Sequence, residues 1–83
     1  MSFHVRWTRK ARNQLADIWL SHPDRVGVTA AAHRIDTLLA RDPENQGESR
    51  PRNRRIMFDS PLVIIYRIDA VNRQVVVNNV RQF

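Results

Sequence analysis

The sequence lacks cysteine altogether and has only two glycines and four prolines among its 83 residues. Without cysteine the chain can form neither a disulfide framework nor a thiolate zinc site, a composition that fits a reducing compartment such as the cytoplasm. The scarcity of glycine and proline, together with 42% hydrophobic and 27% charged residues, excludes a low-complexity or disordered chain. No long apolar segment is present, so we expect neither export nor membrane insertion.

Acidic residues are few as well: 8 of them face 14 basic residues, which gives a formal charge of +6. Lys10 is the single lysine, so the excess is almost entirely arginine. Arginine contacts phosphate and carboxylate groups in a bidentate manner, which favours nucleic acid or an acidic protein as partner, although GC-rich coding would produce the same bias. The basic residues concentrate in two acid-free groups, Arg6, Arg9, Lys10 and Arg12, and Arg50, Arg52, Arg54 and Arg55.

Hydrophobic periodicity predicts one small domain, residues 1–83, with the element order β-α-α-β-β-β. Alternating apolar residues from Phe3 to Trp7 indicate a strand, and stripes at helical spacing indicate helices near residues 8–20 and 24–41. A polar loop is expected over 44–49, followed by strands over 54–58, 62–68 and 73–80 in an antiparallel meander. The expected fold is α+β, a helical hairpin packed on one face of a four-stranded, mainly antiparallel sheet.

The same patterns predict the caps and the core. Thr8 is expected to cap the first helix, and the segment from Ser21 to Asp24 is similar to a capping box for the second. In the strand over 54–58 the pattern does not decide between Met57 and its two neighbours for the core. The residues expected to be buried are Trp7, Leu15, Trp19, Ile35, Leu38 and Ile64.

The sequence lacks the residue combinations on which most classes of enzyme depend. His4, His22 and His33 have no ligand spacing, no serine or cysteine triad can be proposed, and no glycine-rich phosphate loop exists, so we expect no metal and no cofactor. Arginine chemistry remains, because a guanidinium stabilises the negative charge of a phosphorane although it is too basic to transfer protons. Arg9 and Lys10 oppose the dipole at the start of the first helix, so either solvent screens them or an anion binds there.

The element order and the segments HVRWTRKARNQLADIW, PENQGESRPRNRR and PLVIIYRID…RQVVVNNV resemble the RelE/ParE superfamily of toxins from bacterial type II toxin–antitoxin systems, which are associated with plasmid stabilisation. The resemblance covers nearly the whole chain. It implies a basic concave surface and an acidic antitoxin that wraps the toxin and covers that surface. RelE-like members cut mRNA in the ribosomal A site, whereas ParE-like members poison DNA gyrase and perform no chemistry of their own.

The resemblance also implies roles for individual residues. The strand that holds the scissile phosphate in RelE-like nucleases matches the stretch from Arg52 to Arg55; Val63 stands where a further arginine is expected, and Arg67 would substitute for it. Phe83 stands where an aromatic or histidine acid is usual, but it has no proton to give. The candidate catalytic residues are therefore Arg54, Arg67 and Arg81, and the candidate residues for nucleic-acid or antitoxin binding are Arg50, Arg52, Arg55, Arg9 and Lys10.

Three functional hypotheses remain open at this point. The first is a ribosome-dependent mRNA endonuclease, or mRNA interferase, that works through arginine electrostatics without a general acid. The second is a gyrase inhibitor without catalysis, and the third is an attenuated member that retains only antitoxin or nucleic-acid binding. The first carries a structural expectation, that one phosphate-binding surface opposite the helices gathers Arg52, Arg54, Arg55, Arg67 and Arg81.

Overall fold

A computed structural model describes residues 2–83. Its elements follow the predicted order with one addition, a short strand before the meander. None of the described helices is long and apolar enough to cross a membrane. In chain order the elements are β1 (His4–Trp7), α1 (Arg9–Ser21), α2 (Arg25–Arg41), a 3₁₀ turn (Pro43–Asn45), β2 (Glu48–Arg50), β3 (Arg54–Asp59), β4 (Leu62–Asp69) and β5 (Gln74–Gln82).

The strands form one five-stranded sheet in the order β1-β5-β4-β3-β2. β1 is parallel to β5, and all the other pairs are antiparallel, as the meander predicted. The α+β architecture is confirmed, but the prediction of four strands is wrong because Glu48–Arg50 pairs with the start of β3. Arg52 and Asn53 reverse the chain there with φ values of 64° and 60°, the left-handed conformation that a tight hairpin requires.

Both helices begin at a side-chain cap. The Ala11 amide donates to the Thr8 hydroxyl oxygen at 3.1 Å, which confirms the predicted cap of α1. For α2 the predicted cap was wrong: the helix begins at Arg25, and the Asp24 carboxylate accepts from the Gly27 amide at 2.9 Å. Pro23 therefore lies before the helix rather than in its first turn, and a carboxylate satisfies the free amide and complements the helix dipole.

The helical hairpin covers one face of the sheet, and the core lies between the two layers. Ile35 and Ile64 are fully buried as predicted, whereas Trp7, Leu15 and Leu38 are half-buried at its margin. The fully buried side chains from the sheet are Leu62, Ile64 and Tyr66 of β4 and Val75, Val77 and Val80 of β5. Met57 is the β3 residue that enters the core, while Phe58 is 57% exposed.

The predicted burial of Trp19 was wrong, since its side chain is 39% exposed. The indole lies on the outer side of the seam between α1 and α2, where its N–H donates to the Thr29 hydroxyl at 3.1 Å. The Arg25 guanidinium lies 4.8 Å from the ring centroid, a cation–π contact. An indole needs a partner for its N–H, and this seam supplies one that the apolar core does not.

Candidate nucleic-acid interface

The face of the sheet opposite the helices, here called the open face, is assigned from strand pairing. Side chains alternate between faces, so the β4 residues between the buried ones point away from the helices. Paired residues on neighbouring strands share a face, which places Val76 of β5 beside Arg67 of β4. Arg6 of β1 pairs with Val76 on its other side, so Arg6 and Arg67 flank one valine.

Arginines cross the open face in a row. Arg55 pairs with Tyr66, so Arg54, the next position, lies opposite Arg67, and Arg50 of β2 pairs with Arg54 in turn. Neighbouring strands are about 4.8 Å apart, so Arg67, Arg54 and Arg50 on successive strands are within reach of one phosphate, whereas β5 separates Arg6 from Arg67. The arginine row consists of Arg6, Arg67, Arg54 and Arg50.

Arg81 lies on the same face but at the other end. It pairs with Val63, four residues before Arg67 on β4, which is about 14 Å along the strand. Beside it the exposed rings of Phe58 and Phe83 meet edge to face with centroids 5.3 Å apart. The open face therefore has a cationic end and an aromatic end, with apolar side chains of β3 and β4 between them.

Most of these guanidiniums have no carboxylate partner within residues 2–83. Arg54 donates to the Pro51 carbonyl at 3.0 Å and Arg81 to the Asn79 side chain at 3.2 Å, and both contacts orient the side chain without neutralising it. Arg50 is the exception, with Glu48 at 3.1 Å, but both partners are exposed and such a pair is weak. The face thus keeps a net positive charge that an anion can use.

Arg55 does not join them, contrary to the expected convergence. It lies on the helical face beside Tyr66, where its guanidinium donates to the backbone carbonyls of Gln46 and Gly47 at 3.1 and 3.2 Å. The buried Tyr66 hydroxyl shares its one proton between the carbonyls of Pro43 and Gln46, which lie 2.8 and 2.6 Å from its oxygen. The two side chains fix the segment between α2 and β2, so their role is structural.

The other candidates are dispersed. Arg52 lies in the β2–β3 hairpin, near the row but not in it. Arg9 and Lys10 are exposed in the first turn of α1, on the helical layer, and therefore cannot contact the same phosphate as Arg54. Of the five arginines expected to converge, Arg54 and Arg67 are adjacent.

Sequence reasoning missed two residues of the open face, His4 and Arg6. The signal was present, because the alternation in β1 that places Val5 and Trp7 toward the helices places His4 and Arg6 on the other side. The position of β1 next to β5, however, depends on a parallel pairing between the two ends of the chain. No group of three or more residues that would hold a metal ion occurs in the described part of the chain.

A second feature lies on the helical side. An apolar groove of about 640 Å³ runs between α1 and α2, and its lining includes Leu15, Ala16, Trp19, Leu20 and Ala32. Leu20 is 61% exposed, and the basic side chains of Arg12 and His33 border the groove. Exposed apolar surface with a polar rim is typical of a protein interaction site.

Comparisons with known proteins support the fold. A chain of the toxin–antitoxin complex RelBE2 from Mycobacterium tuberculosis matches 100% of this chain and 93% of its own length, at TM-score 0.83 and 24% identity. A chain of the chromosomal ParDE system of P. aeruginosa matches 98% of this chain and 96% of its own, at TM-score 0.72 and 15% identity. TrmO from Pseudomonas aeruginosa is also similar, at TM-score 0.67 and 22% identity over 96% of this chain, which spans 35% of TrmO. No family model matches the sequence, and no curated protein does. The RelE/ParE-like fold expected from the resemblance is thereby confirmed.

The Tyr66 contacts lead to a prediction for stability at high pH. Burial raises the pKa of this phenol above its ordinary value of 10.0, with Arg55 acting in the opposite direction. A raised folded-state pKa means that the stabilisation is complete below about pH 10 and is lost as pH rises through the folded pKa. Tyr66 is the single tyrosine, so phenolate absorbance in a base titration should appear only as the protein unfolds.

The matched variant is Tyr66→Phe. Its free energy of unfolding should depend less steeply on pH above pH 10, and at pH 7 it should be lower by about 1–3 kcal/mol, because the Pro43 carbonyl loses the phenol as a donor while the Gln46 carbonyl keeps Arg55. Urea unfolding monitored by tryptophan fluorescence at pH 7 and above pH 10 measures the free energy of unfolding and its pH dependence. Titration of the phenol at its ordinary pKa in the folded protein would contradict the assignment.

Proposed function

We propose that this chain is the toxin of a toxin–antitoxin pair and that it binds RNA on the open face in the manner of RelE. The observation that carries the proposal is the adjacency of Arg54 and Arg67, two guanidiniums without a carboxylate partner among residues 2–83, on a face that no helix covers. Planar forks side by side suit the bidentate recognition of a phosphodiester. The fold shared with a chain of the RelBE2 complex supports this class of partner.

The aromatic end of the face supports a single-stranded ligand. Phe58 and Phe83 remain 57% and 62% exposed although their rings contact each other, and an exposed apolar patch is typical of an interaction site. Proteins that bind single-stranded RNA stack unpaired bases on such rings and hold the backbone with basic side chains. Arg81 is placed for a second phosphate, about 14 Å along the strand from the first.

Cleavage would rest on electrostatics and positioning. Arg54 and Arg67 would stabilise the charge that develops on the phosphorane when the ribose 2′-oxygen attacks, and neither would transfer a proton. Tyr66 is buried and bonded to backbone, so it is not available as an acid. General acid catalysis contributes typically 10²- to 10⁴-fold, so we expect a slow nuclease that depends on the ribosome to orient the mRNA.

The partner would be an acidic antitoxin. Its apolar side chains would fill the groove between α1 and α2. Its carboxylates would contact Arg12 at the rim of the groove and the arginine row on the open face. Arg6 lines both the open face and the cavity that continues from this groove past Trp7, so one segment of chain could follow that path. The net charge of +6 suits such a partner.

Substitution of Arg54 tests the activity. In a translation reaction programmed with mRNA, Arg54→Gln should lower cleavage by about 10²- to 10³-fold, the usual effect of losing one electrostatic donor. Arg54→Lys should restore part of the rate because an ammonium ion supplies charge but not the bidentate fork. The control is Arg41→Gln, an exposed arginine in the last turn of α2, which should leave cleavage unchanged.

Two outcomes would replace this proposal. Growth arrest with intact mRNA and a loss of gyrase supercoiling would establish the ParE-like alternative. Normal growth, intact mRNA and normal supercoiling would identify an attenuated protein that retains only binding.

The groove gives a test of the antitoxin interface. Ala16→Glu places a carboxylate inside the groove, whereas Asn13→Glu adds the same charge on an exposed position of α1 outside it. Calorimetric titration with the acidic protein expected from the adjacent reading frame should show binding weakened at least tenfold by Ala16→Glu and little changed by Asn13→Glu. Equal effects of the two variants would contradict a docking site in the groove.

A further inference from the structure

The β1 edge of the open face contains a cavity that neither the resemblance nor the RNA contacts at Arg54 and Arg81 explain. It has a volume of about 520 Å³, and Arg6, Arg67 and Asn78 contribute to its lining. Val76 forms its floor, since it pairs with Arg6 on one side and Arg67 on the other. The cavity therefore lies between Arg6 of β1 and Arg67 of β4.

The strand register gives the cavity its shape. The pairing of β4 with β5 shifts between Ile65 and Tyr66, so that Asn78 and Asn79 together oppose a single position. Such a β-bulge directs an extra side chain to one face of the sheet. Here the extra residue is Asn78, whose carboxamide adds a neutral donor beside the two guanidiniums.

The charges favour an anion. Neither Arg6 nor Arg67 forms a salt bridge with any carboxylate of residues 2–83. Asp69 also lines the cavity and keeps its negative charge, since hydrogen bonds from the backbone and the side chain of Asn72 at 3.1 and 2.8 Å lower the pKa of its carboxyl group. The two guanidiniums outweigh this one carboxylate, so the lining is net positive. The Cα atoms of Arg6 and Arg67 are two strand spacings apart, about 10 Å, a separation from which two extended arginine side chains reach one group above Val76.

We propose that Arg6, Arg67 and Asn78 form a second phosphate subsite, which takes the phosphodiester next to the one held at Arg54 and extends the RNA contact to β1. The proposal rests on the proposed function, because it names RNA as the source of the phosphate. Arg67 then lies between the phosphate at Arg54 and the phosphate at Arg6 and contacts both. The other explanation of Arg6 is that a charge on an edge strand prevents strand-to-strand aggregation, and that role makes no demand on Arg67.

A double-mutant cycle separates these explanations. Binding of a fluorescent single-stranded oligoribonucleotide is measured by anisotropy over a range of salt for the wild type, Arg6→Gln, Arg67→Gln and the double variant. Arg6→Gln should weaken binding roughly tenfold, as expected for a charged hydrogen bond, and should lower the salt slope by about 0.7, the value of one phosphate contact on a single strand. The double variant should lose less than the product of the two single effects, because the side chains share a phosphate.

Arg54→Gln and Arg41→Gln make the outcomes distinct. If Arg54→Gln weakens binding and Arg6→Gln has no more effect than Arg41→Gln, the subsite is wrong and the proposed function stands. Strictly multiplicative effects of Arg6→Gln and Arg67→Gln would also overturn the shared phosphate. If the wild type does not bind the oligoribonucleotide, the proposed function and the subsite fall together. Thermal unfolding of each variant establishes that a loss of binding is not a loss of fold.

Discussion

The burial of one face of the sheet beneath the helical hairpin is the constraint on which the rest of the molecule depends. Leu62, Ile64 and Tyr66 of β4 are fully buried against the helices, and strand alternation then directs the residues between them to the other side. A shift of one residue in β4 would exchange the two faces and bury Arg67 without a partner. The same packing that stabilises this small chain thus presents its arginines to solvent.

The segment between α2 and β3 shows how the core also positions the arginine row. Tyr66 and Arg55 bind the backbone carbonyls of residues 43, 46 and 47, and this fixes the start of β2. At Gly47, with φ of 65°, an added side chain would clash with the Ile56 carbonyl, so glycine permits the close approach of this segment to β3. Arg55, which the sequence suggested as a binding residue, therefore serves the fold together with the buried Tyr66.

Periodicity was sufficient to predict the helices, the antiparallel meander and the buried face of β4, because each depends on local spacing. Periodicity did not predict the features that depend on long-range packing. The Trp19 indole donates to a hydroxyl at the seam between the helices instead of entering the core, and Glu48–Arg50 forms a strand because it pairs with β3. The candidate site likewise has a part that local spacing predicts and a part that depends on long-range pairing. The neighbours Arg54 and Arg67 were predicted, whereas Arg6 reaches them through a parallel pairing of β1 and β5 that no local pattern encodes.

Arginine footprinting shows directly whether RNA binds the open face. The protein is treated with phenylglyoxal with and without single-stranded RNA, and modification of each arginine is quantified by mass spectrometry. We expect RNA to protect Arg54, Arg67 and Arg6 while Arg25 and Arg41 on the helices react as before. Protection of the helical arginines with unchanged reaction of the open face would contradict this expectation.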